Sequence, residues 1–439
     1  MNQIIAYRIY SIHILLVFLY ALTGCACSTK SVKPAVIELA QEQIQENALM
    51  DVGIVPFDSE NLSEEDAFDE GTSLEIRKAE GLFIPCHLKN TLQKSKHWGA
   101  VRVVPSETVS DLLVKGHIER SDGERLIVKI DVVDATGKTW FKKRYKAKAG
   151  ESAFSDSTVG EKDAFQNLYN TIANDMADFK KHLTPEQINA IRSVSRMRFA
   201  AQLAPDTFEP YLTVDKKGQV QLNRFPADND PMMTRVAQVH QRDGMYLDTL
   251  NELYSGFYND MWTSYHDWRL NNLTERAAMR KINRDAWLQG IIGVLLIGGA
   301  IAMEAGDVDN VSILQGVMVA GGGALIINGI NVSKQKEMHA VSIKELSDSF
   351  GDTMKPVVMD IEGEQVKLSG SAKEQYAQWQ NLLRRIYLEE TGYSSTEEFQ
   401  PESAPDFESE PEGEAVEPEK TIDQQGNETS PAAHDGQDK

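Results

Sequence analysis

Hydrophobic and polar residues alternate with a period of two along residues 125–134. One face of this segment carries the apolar residues Leu126, Val128, Ile130 and Val132. This spacing predicts a β-strand with one buried side and one largely solvated side. Further β-rich runs, of five to nine residues, predict four more strands, at about residues 50–57, 100–104, 112–119 and 138–146.

The connections between these strands indicate how the sheet is built. Ser121-Asp-Gly123 and Ala135-Thr-Gly137 are turn signals between consecutive strands, which predicts hairpins at the end of the series. Helical patterns precede and follow the strands, and this order predicts a mixed sheet that helices cover on one side. We assign this small α/β domain to residues 49–183.

The two helices of the α/β domain are predicted from apolar residues that recur every three or four positions. The first begins near Leu74, and the second runs from about residue 162 to residue 181. Pro85 interrupts the first pattern, and proline lacks a backbone N–H and clashes with the preceding helical turn. We therefore expect this helix to break at Pro85 and to restart over about Cys86–Lys94.

Residues 184–285 predict a helical region. Thr184 and Gln187 form a capping box that opens a helix ending near Leu203. A second helix begins near Pro231 and runs without a strong break to the end of the region. Its apolar stripe is wide and aromatic, and it consists of Tyr246, Leu250, Tyr254, Phe257, Met261, Tyr265 and Trp268. We interpret the stripe as packing against the preceding helix; an oligomer seam or a surface for lipid headgroups is the alternative.

Residues 286–331 form an apolar block rich in glycine. The block predicts two helices, about Trp287–Met303 and Val311–Ile330, of borderline and typical length for crossing a bilayer. Small residues permit close contact between these helices, namely Gly290, Gly293, Gly298, Gly299, Gly316, Ala320 and Ala324. The pattern indicates a helical hairpin that inserts into a membrane. A hairpin buried in a homo-oligomer or against the aromatic helix is the alternative.

The C-terminal part of the chain has two unlike portions. Residues 332–393 predict a small α/β appendage, with a hairpin over 356–368 and a helix over 372–390. Residues 394–439 are acidic and contribute much of the net charge of −21. Because this segment is poor in apolar residues, we predict that it is disordered. The rest of the chain is only mildly acidic, which argues against a nucleic-acid partner.

The N-terminus predicts export. Arg8 precedes an apolar core at residues 14–22, which is the pattern of a secretory signal peptide. Leu22-Thr-Gly-Cys25 follows and resembles the lipobox of bacterial lipoproteins. An uncleaved N-terminal anchor helix is the alternative.

The lipobox resemblance implies that residues 1–24 are removed and that Cys25 carries lipid, which makes residues 25–48 a lipidated tether. It also implies an outer-membrane location in which the protein faces the periplasm. Membrane lipid is therefore an expected partner, both through Cys25 and through residues 287–330.

The chain contains three cysteines. With Cys25 lipidated, Cys27 and Cys86 remain in an oxidising compartment, where they could form a disulfide. A buried, free Cys86 is the alternative. Neither residue has His, Cys or carboxylate neighbours at the spacing of a metal site, and we predict neither a metal nor a cofactor.

Short motifs in the α/β domain resemble one protein family. Val52-Gly-Ile-Val-Pro-Phe57, followed by a helix, is similar to the opening of the periplasmic domain of the curli-secretion lipoproteins. Three further motifs extend this similarity: Trp98-Gly-Ala-Val-Arg-Val-Val104, Asp111-Leu-Leu-Val-Lys-Gly-His-Ile118 and Asp134-Ala-Thr-Gly-Lys-Thr-Trp140. The lipoprotein activators of penicillin-binding proteins share that fold. The resemblance covers roughly residues 50–183 and implies self-association or docking onto an envelope partner, not catalysis.

The motifs of common enzymes are absent from the sequence. It contains no His-Glu-x-x-His, no Gly-x-Ser-x-Gly and no paired Cys-x-x-Cys. Gly137-Lys-Thr139 is reminiscent of a phosphate-binding loop, but Val132 stands where that loop needs its other glycine. We therefore predict a protein that is not an enzyme.

Taken together, these patterns predict an α+β protein. A small mixed-sheet α/β domain is followed by long amphipathic helices, a Gly-rich apolar helical hairpin and a disordered acidic tail. The leading hypothesis is a non-catalytic envelope lipoprotein that anchors, scaffolds or activates an assembly, with an envelope protein or a second copy of itself as partner. An oligomeric outer-membrane export pore formed by the hairpins is the alternative, and an envelope hydrolase is the second alternative.

Overall fold

The alternating segments form a five-stranded mixed sheet in the computed structural model. The strands are β1 (Val52–Ile54), β2 (Val101–Val103), β3 (Leu112–Ser121), β4 (Arg125–Asp134) and β5 (Thr139–Lys148). Their order across the sheet is β2-β1-β3-β4-β5. Strand β1 is parallel to both β2 and β3, whereas β3, β4 and β5 pair as two antiparallel hairpins. The predicted mixed sheet with hairpins at its end is therefore confirmed.

Helices and two small hairpins surround this sheet. The helices are α1 (Leu74–Ser95), α2 (Gln166–Lys181), α3 (Pro185–Leu203), the short α4 (Pro205–Phe208), the long helix α5 (Pro231–Ala300) and α6 (Ala372–Thr391). The hairpins are β6 (Leu212–Val214) with β7 (Val220–Leu222), and β8 (Val357–Ile361) with β9 (Glu364–Leu368). The structure describes residues 34–59, 72–154, 163–224, 226–227, 230–300, 356–361 and 364–392, together with positions 63, 67, 341, 342 and 344.

The burial of β4 follows its period-two pattern. Its four alternating apolar residues are at most 1% exposed, and they pack in one hydrophobic cluster with side chains of α1 and α2. Gly123 and Gly137 lie at the hairpin turns with φ angles of +78° and +82°, which glycine adopts without steric cost. The predicted buried face and the predicted turns are both confirmed.

Helix α1 continues through Pro85, so the predicted break at this residue is wrong. Because Pro85 has no N–H, the carbonyl of Gly81, four residues earlier, lacks its helical donor. The backbone N–H of Phe57 donates to that carbonyl at 2.7 Å. Gly81 permits this approach, since a Cβ there would lie 2.9 Å from the Phe57 carbonyl oxygen. A contact from the loop after β1 thus stabilises the continuous helix.

The long helix α5 is continuous from Pro231 to Ala300, and all seven residues of its aromatic stripe are buried within the chain. The predicted packing against α3 is present, and α1 and α6 also contact the helix. Phe83 of α1 stacks on Tyr258 with 4.7 Å between ring centroids, and Trp379 of α6 stacks on Tyr246 at 5.1 Å. Three shorter helices therefore share the burial of one long helix.

Helix α5 also closes one edge of the sheet. Asn251 Oδ1 accepts a hydrogen bond from the Val103 N–H at 2.8 Å, and Asn251 Nδ2 donates to the Val103 carbonyl at 2.9 Å. The side-chain amide thus pairs with β2 as a neighbouring strand would. Since unpaired edge strands invite association with other chains, this contact protects the sheet as well as positioning the helix.

The remaining described elements agree with the sequence patterns. The capping box of Thr184 and Gln187 opens α3. The predicted C-terminal hairpin and helix are present as β8–β9 and α6. These elements belong to one compact unit that extends to Tyr393. The predicted second helix of the apolar hairpin and the acidic tail of residues 394–439 lie outside the described residues.

Candidate functional site

Buried charged residues hold the long helix against the α/β domain. Arg269 of α5 and Asp163, just before α2, form an ion pair whose side chains are at most 1% exposed. Two hydrogen bonds join them, from Nη2 to Oδ2 at 2.6 Å and from Nη1 to Oδ1 at 3.2 Å. The guanidinium also lies 4.3 Å from the ring centroid of Tyr265. This bidentate geometry fixes the orientation of the helix at Arg269.

The ion pair is charged at neutral pH. Burial alone would raise the pKa of Asp163, because it removes water from the charged form. The guanidinium of Arg269 outweighs that effect and holds the pKa of Asp163 below its ordinary value. Both partners therefore keep their charges, and each neutralises the other inside the protein.

A second buried carboxylate, that of Glu80 in α1, joins three elements. Its Oε1 atom accepts hydrogen bonds from Ser121 Oγ at 2.5 Å and from Tyr265 OH at 2.6 Å, and its Oε2 atom lies 3.0 Å from Arg77 Nε. Burial raises the pKa of Glu80, although Arg77 favours its charged form. We define the helix clamp as Arg77, Glu80, Ser121, Asp163, Tyr265 and Arg269.

His87 adds a neutral bridge beside the clamp. Its Nδ1 atom lies 2.7 Å from Tyr258 OH on α5, and its Nε2 atom lies 2.8 Å from Gln166 Oε1 on α2. Burial lowers the pKa of His87, so the imidazole carries a single N–H at neutral pH. Because Gln166 Oε1 can only accept, we assign that proton to Nε2 and the acceptor role to Nδ1. Both ring nitrogens thus serve to join helices.

The turn between β3 and β4 supplies the contacts at the outer end of the clamp. Arg280 Nη1 donates to Glu124 Oε2 at 2.6 Å, and Arg276 Nη1 lies 3.6 Å from Asp122 Oδ2. Gly123 lets the turn reach the helix backbone, because a Cβ there would lie 2.5 Å from the carbonyl oxygen of Arg269. Past these contacts α5 continues to Ala300.

The N-terminal tether lies along α2. Asn170 Nδ2 donates to the carbonyl of Ala35 at 2.8 Å, and Asn174 Oδ1 accepts from the N–H of Glu38 at 2.8 Å. The Glu38 carboxylate forms an ion pair with Lys181 at the end of the same helix. The described part of the tether therefore runs in the direction of α2, and Ala35 lies beside the first turns of that helix.

The residues that the sequence singled out fall in three groups. Those outside the described residues are Cys25, Cys27, Gly316, Ala320 and Ala324. The last turns of α5 contain Gly290, Gly293, Gly298 and Gly299. Cys86 is a buried free thiol whose Sγ lies 3.8 Å from the Tyr254 carbonyl oxygen, while its pairing with Cys27 stays a prediction. Within the described part of the chain, no helix combines the length and the apolar character needed to span a membrane.

Sequence reasoning missed the helix clamp. Its residues come from four separate segments of the chain, so no short motif contains them. The available signal was local, since Arg269 follows directly on the aromatic stripe and Glu80 interrupts the apolar face of α1. A charged residue in such a position needs a buried partner, but the sequence pattern does not identify which one.

Two cavities adjoin the long helix. An open groove of about 890 Å³ lies between the end of β1, α1, α5 and the start of α6. Lys115 lines this groove and forms an ion pair with Glu107 at 2.5 Å. A smaller cavity of about 220 Å³, which we call the polar pocket, lies between β1, β2, α3 and α5.

Comparison of the chain with protein-family models, with curated proteins and with solved structures gives no match. The similarity of residues 50–183 to the curli-secretion lipoproteins therefore rests on the strand and turn motifs alone. The clamp, the tether and the two cavities all lie in the described part of the chain.

Proposed function

We propose that this protein is a membrane-attached, non-catalytic scaffold of the bacterial envelope. Lipid on Cys25 and the apolar segment 287–330 attach it to the outer membrane, and the α/β domain docks onto an envelope partner. The observation that carries the proposal is the long helix, which is clamped at Arg269 and continues to Ala300, inside the apolar segment. A stiff connection between a folded domain and an apolar segment suits a scaffold.

The direction in which α5 leaves the domain follows from its contacts with α1. Lys89 Nζ donates to Ser255 Oγ near the end of α1, whereas Glu80 near its start accepts from Tyr265. Residue numbers thus fall along α1 as they rise along α5. The two helices are antiparallel, and α5 leaves the domain at the N-terminal end of α1.

Helix α2 runs in the direction of α1. His87 contacts Gln166 at the start of α2, and Lys180 Nζ donates to the carbonyl of His97, just after α1. The N-terminus of α2 therefore points to the end at which α5 leaves. Because the described part of the tether follows α2, Ala35 lies toward the same end, and Cys25 precedes it by ten positions in the chain.

The lengths of the two connections support attachment to one membrane surface. The nine residues Cys25–Lys33, which precede the described tether, can span at most about 30 Å. From Arg269 to Trp287 the helix rises about 27 Å. The lipid and the apolar segment can therefore reach the same bilayer.

The end of the sheet opposite the helix clamp is the surface that we assign to a protein partner. Strand β4 has ten residues, so the turn at Gly137 lies about 30 Å from the turn at Gly123. The N–H of Val220 donates to the carbonyl of Thr136 at 2.8 Å, which places the β6–β7 hairpin at this far end. A protein held at the clamp end presents this hairpin to the periplasm.

Fractionation of the full-length protein with an acyl-chain label tests the proposal. The wild type is expected in the outer membrane with label on Cys25. Cys25→Ser and deletion of residues 287–330 should each weaken attachment, and their combination should release the protein. Cys27→Ser is the matched control, because it removes a neighbouring thiol that does not occupy the lipobox position. A wild type that is unlabelled and soluble would overturn the proposal.

Site-specific crosslinking tests the docking surface separately. Val214 in β6 is 68% exposed, and a photo-crosslinking residue there should capture an envelope protein in living cells. The same residue at the exposed Lys281 should capture lipid. Crosslinks of Val214 only to lipid would contradict the proposed orientation.

A further inference from the structure

Cationic side chains gather around the turn between β3 and β4, at the end of the sheet where α5 leaves the domain. Three guanidinium groups contact the same carboxylate oxygen, Asp122 Oδ2: Arg120 Nε at 2.6 Å, Arg125 Nη2 at 3.2 Å and Arg276 Nη1 at 3.6 Å. Burial would raise the pKa of Asp122, but Arg120 and Arg276 hold it below its ordinary value, so the carboxylate stays charged. One negative charge therefore faces three positive charges.

Glu124, on the other side of the same turn, is shared by two more cations. Its Oε1 atom lies 3.2 Å from Lys148 Nζ at the end of β5, and its Oε2 atom accepts a hydrogen bond from Arg280 Nη1 at 2.6 Å. We define the basic cluster by its five cationic residues: Arg120, Arg125, Lys148, Arg276 and Arg280. Because these five residues share two carboxylates, the contacts leave a surplus of positive charge.

The neighbouring part of the sheet extends this positive surface. Lys129 of β4 lies directly opposite Arg144 of β5, and both form ion pairs with Glu119. Like charges in directly opposite positions repel each other, and here too two cations share one carboxylate. Lys146, which lies between Arg144 and Lys148 on the same face of β5, is exposed. Because the whole chain carries a net charge of −21, a basic surface of this extent indicates an anionic partner.

The basic cluster lies close to the start of the apolar segment. Arg280 precedes Trp287 by seven positions, so the helix rises only about 10 Å between them. The polar layer on each side of the hydrocarbon core of a bilayer is roughly 5–8 Å thick. A long arginine or lysine side chain can extend toward that layer while its stem stays against the protein. Glu275 and Lys281 adjoin Arg276 and Arg280 in the chain, and their opposite charges leave the surplus of positive charge unchanged.

We propose that the basic cluster binds the phosphate groups of anionic lipid headgroups at the membrane surface. This inference rests on the proposed function, because attachment to the membrane brings the cluster to that surface. Guanidinium groups form strong, charge-assisted hydrogen bonds with phosphate oxygens. Cationic residues beside a membrane-inserted segment attract anionic lipids. The position of the cluster near Trp287 favours a lipid over an anionic protein, because a protein partner would have to fit between the sheet and the bilayer.

Native mass spectrometry of the full-length protein in mild detergent tests the proposal, because it counts the lipids that each protein molecule binds. The probes are phosphatidylglycerol, which carries a net negative charge, phosphatidylcholine, which carries none, and inorganic phosphate as a competitor. We expect phosphatidylglycerol to bind at least about tenfold more tightly than phosphatidylcholine. Equal binding of the two lipids would overturn the proposal. Displacement of phosphatidylglycerol by an equal concentration of inorganic phosphate would assign the cluster to a free anion and would also overturn it.

Two sets of variants locate the lipid site. Lys146→Gln combined with Lys148→Gln removes two exposed charges at the end of β5, and Arg280→Gln removes the cluster cation nearest the apolar segment. We expect each change to reduce the preference for phosphatidylglycerol by about threefold or more. The matched control is Lys216→Gln combined with Lys217→Gln, which changes the net charge equally in the exposed turn between β6 and β7. A preference that persists in both cluster variants, or that falls as much in the control, would refute the assignment, and melting temperatures check that each variant folds.

The failure of this inference differs from the failure of the proposed function. Cell fractionation that finds the wild type unlabelled and soluble overturns the attachment to the membrane, whereas equal binding of the two lipids overturns only the role of the basic cluster. Cys25→Ser removes the expected lipidation site and leaves the cluster unchanged, so this variant should keep the preference for phosphatidylglycerol. Loss of the preference in Cys25→Ser would contradict the assignment to the cluster.

Discussion

Two buried aspartates lie near opposite ends of the packed part of the long helix, and they differ in the groups that balance their charge. Asp163 binds the guanidinium of Arg269 through two hydrogen bonds. Asp243 is hydrogen-bonded by the neutral hydroxyl of Tyr376. Accordingly, Arg269 holds the pKa of Asp163 below its ordinary value, while burial raises the pKa of Asp243 to about 6.

This difference separates a charge-matched contact from an unmatched one. At the Arg269 end the charges are matched and fully buried, so the contact favours one position of the helix. At the Asp243 end two neutral groups, the hydroxyl of Tyr376 and the indole of Trp379, adjoin the buried carboxylate, so burial prevails and raises its pKa. The long helix is therefore held by matched charges at one end and carries a buried carboxylate without a matching ion pair at the other.

The largest expected effect comes from breaking the matched pair. Arg269→Met leaves Asp163 as an uncompensated buried charge, and we expect the free energy of unfolding in urea to fall by about 3–5 kcal/mol. Asp163→Leu combined with Arg269→Met removes both charges and should recover much of this loss. The control is Lys142→Met, which removes an exposed partner of Asp131 and should cost less than about 1 kcal/mol. An effect of Arg269→Met as small as that of the control would contradict the clamp.

Asp243, which has no ion-pair partner like that of Asp163, should make the free energy of unfolding depend on pH. Burial raises the pKa of Asp243 from 3.8 to about 6, so between these values the folded state holds a proton that the unfolded state has released. The contribution of Asp243 therefore falls as the pH rises from about 4 to about 6, by up to about 3 kcal/mol. The pH dependence due to Asp163 has the opposite sign. Because its pKa is lowered in the folded state, the stability that its charge contributes is lost as the pH falls.

Asp243→Asn isolates this effect. Urea unfolding measured between about pH 4 and about pH 7 should show a steeper decline with pH in the wild type than in the variant, which keeps the raised pKa values of Glu80 and Asp111. Parallel curves for the two proteins would mean that Asp243 is not the group that titrates.

Asn251 lies between the two ends and should have a smaller effect. Asn251→Ala removes both hydrogen bonds to Val103, and we expect a loss of about 1–3 kcal/mol together with self-association through the exposed edge of β2. Thermal unfolding and light scattering measure these two effects. Asn259→Ala, at an exposed site on the same helix, is the control. If the two alanine variants behave alike, Asn251 does not protect the sheet edge.

Two helical glycines should give effects of opposite sign, and that of Gly256 should be the smallest of all. Gly81→Ala places a Cβ 2.9 Å from the Phe57 carbonyl oxygen and should destabilise the protein by about 1–3 kcal/mol. Gly256→Ala meets nothing within 4 Å and should stabilise the protein by about 0.5–1 kcal/mol. Urea unfolding of both variants tests the account of the continuous α1. Stabilisation by Gly81→Ala would contradict it.

Local patterns allowed prediction of the elements but not of their contacts. The four apolar residues of β4 could be assigned to a buried face because strand side chains alternate between two sides. The continuity of α1 at Pro85 could not be predicted, since the compensating donor is the N–H of Phe57, far away in the sequence. The low helix propensity of proline applies to an isolated helix. Here the hydrogen bond from Phe57 to Gly81 outweighs that low propensity.

The candidate sites were invisible for the same reason. Asp163 and Arg269 are separated by more than 100 positions, and nothing around either residue identifies the other. Asp243 and Arg269 are both polar residues of one amphipathic helix. The elements packed against the helix decide the difference: Arg269 forms an ion pair with Asp163, whereas Asp243 contacts the neutral hydroxyl of Tyr376.

The most direct test of the scaffold measures how far two positions lie from the membrane. Fluorophores on Lys281 and Val214, one per protein, would be compared in the full-length lipidated protein in liposomes with a quencher on the lipid headgroups. We expect strong quenching at Lys281 and little at Val214. Strand β4 is about 30 Å long, and Val214 lies at the end of this strand that is far from the clamp. Equal quenching at both positions, or stronger quenching at Val214, would contradict the proposed orientation.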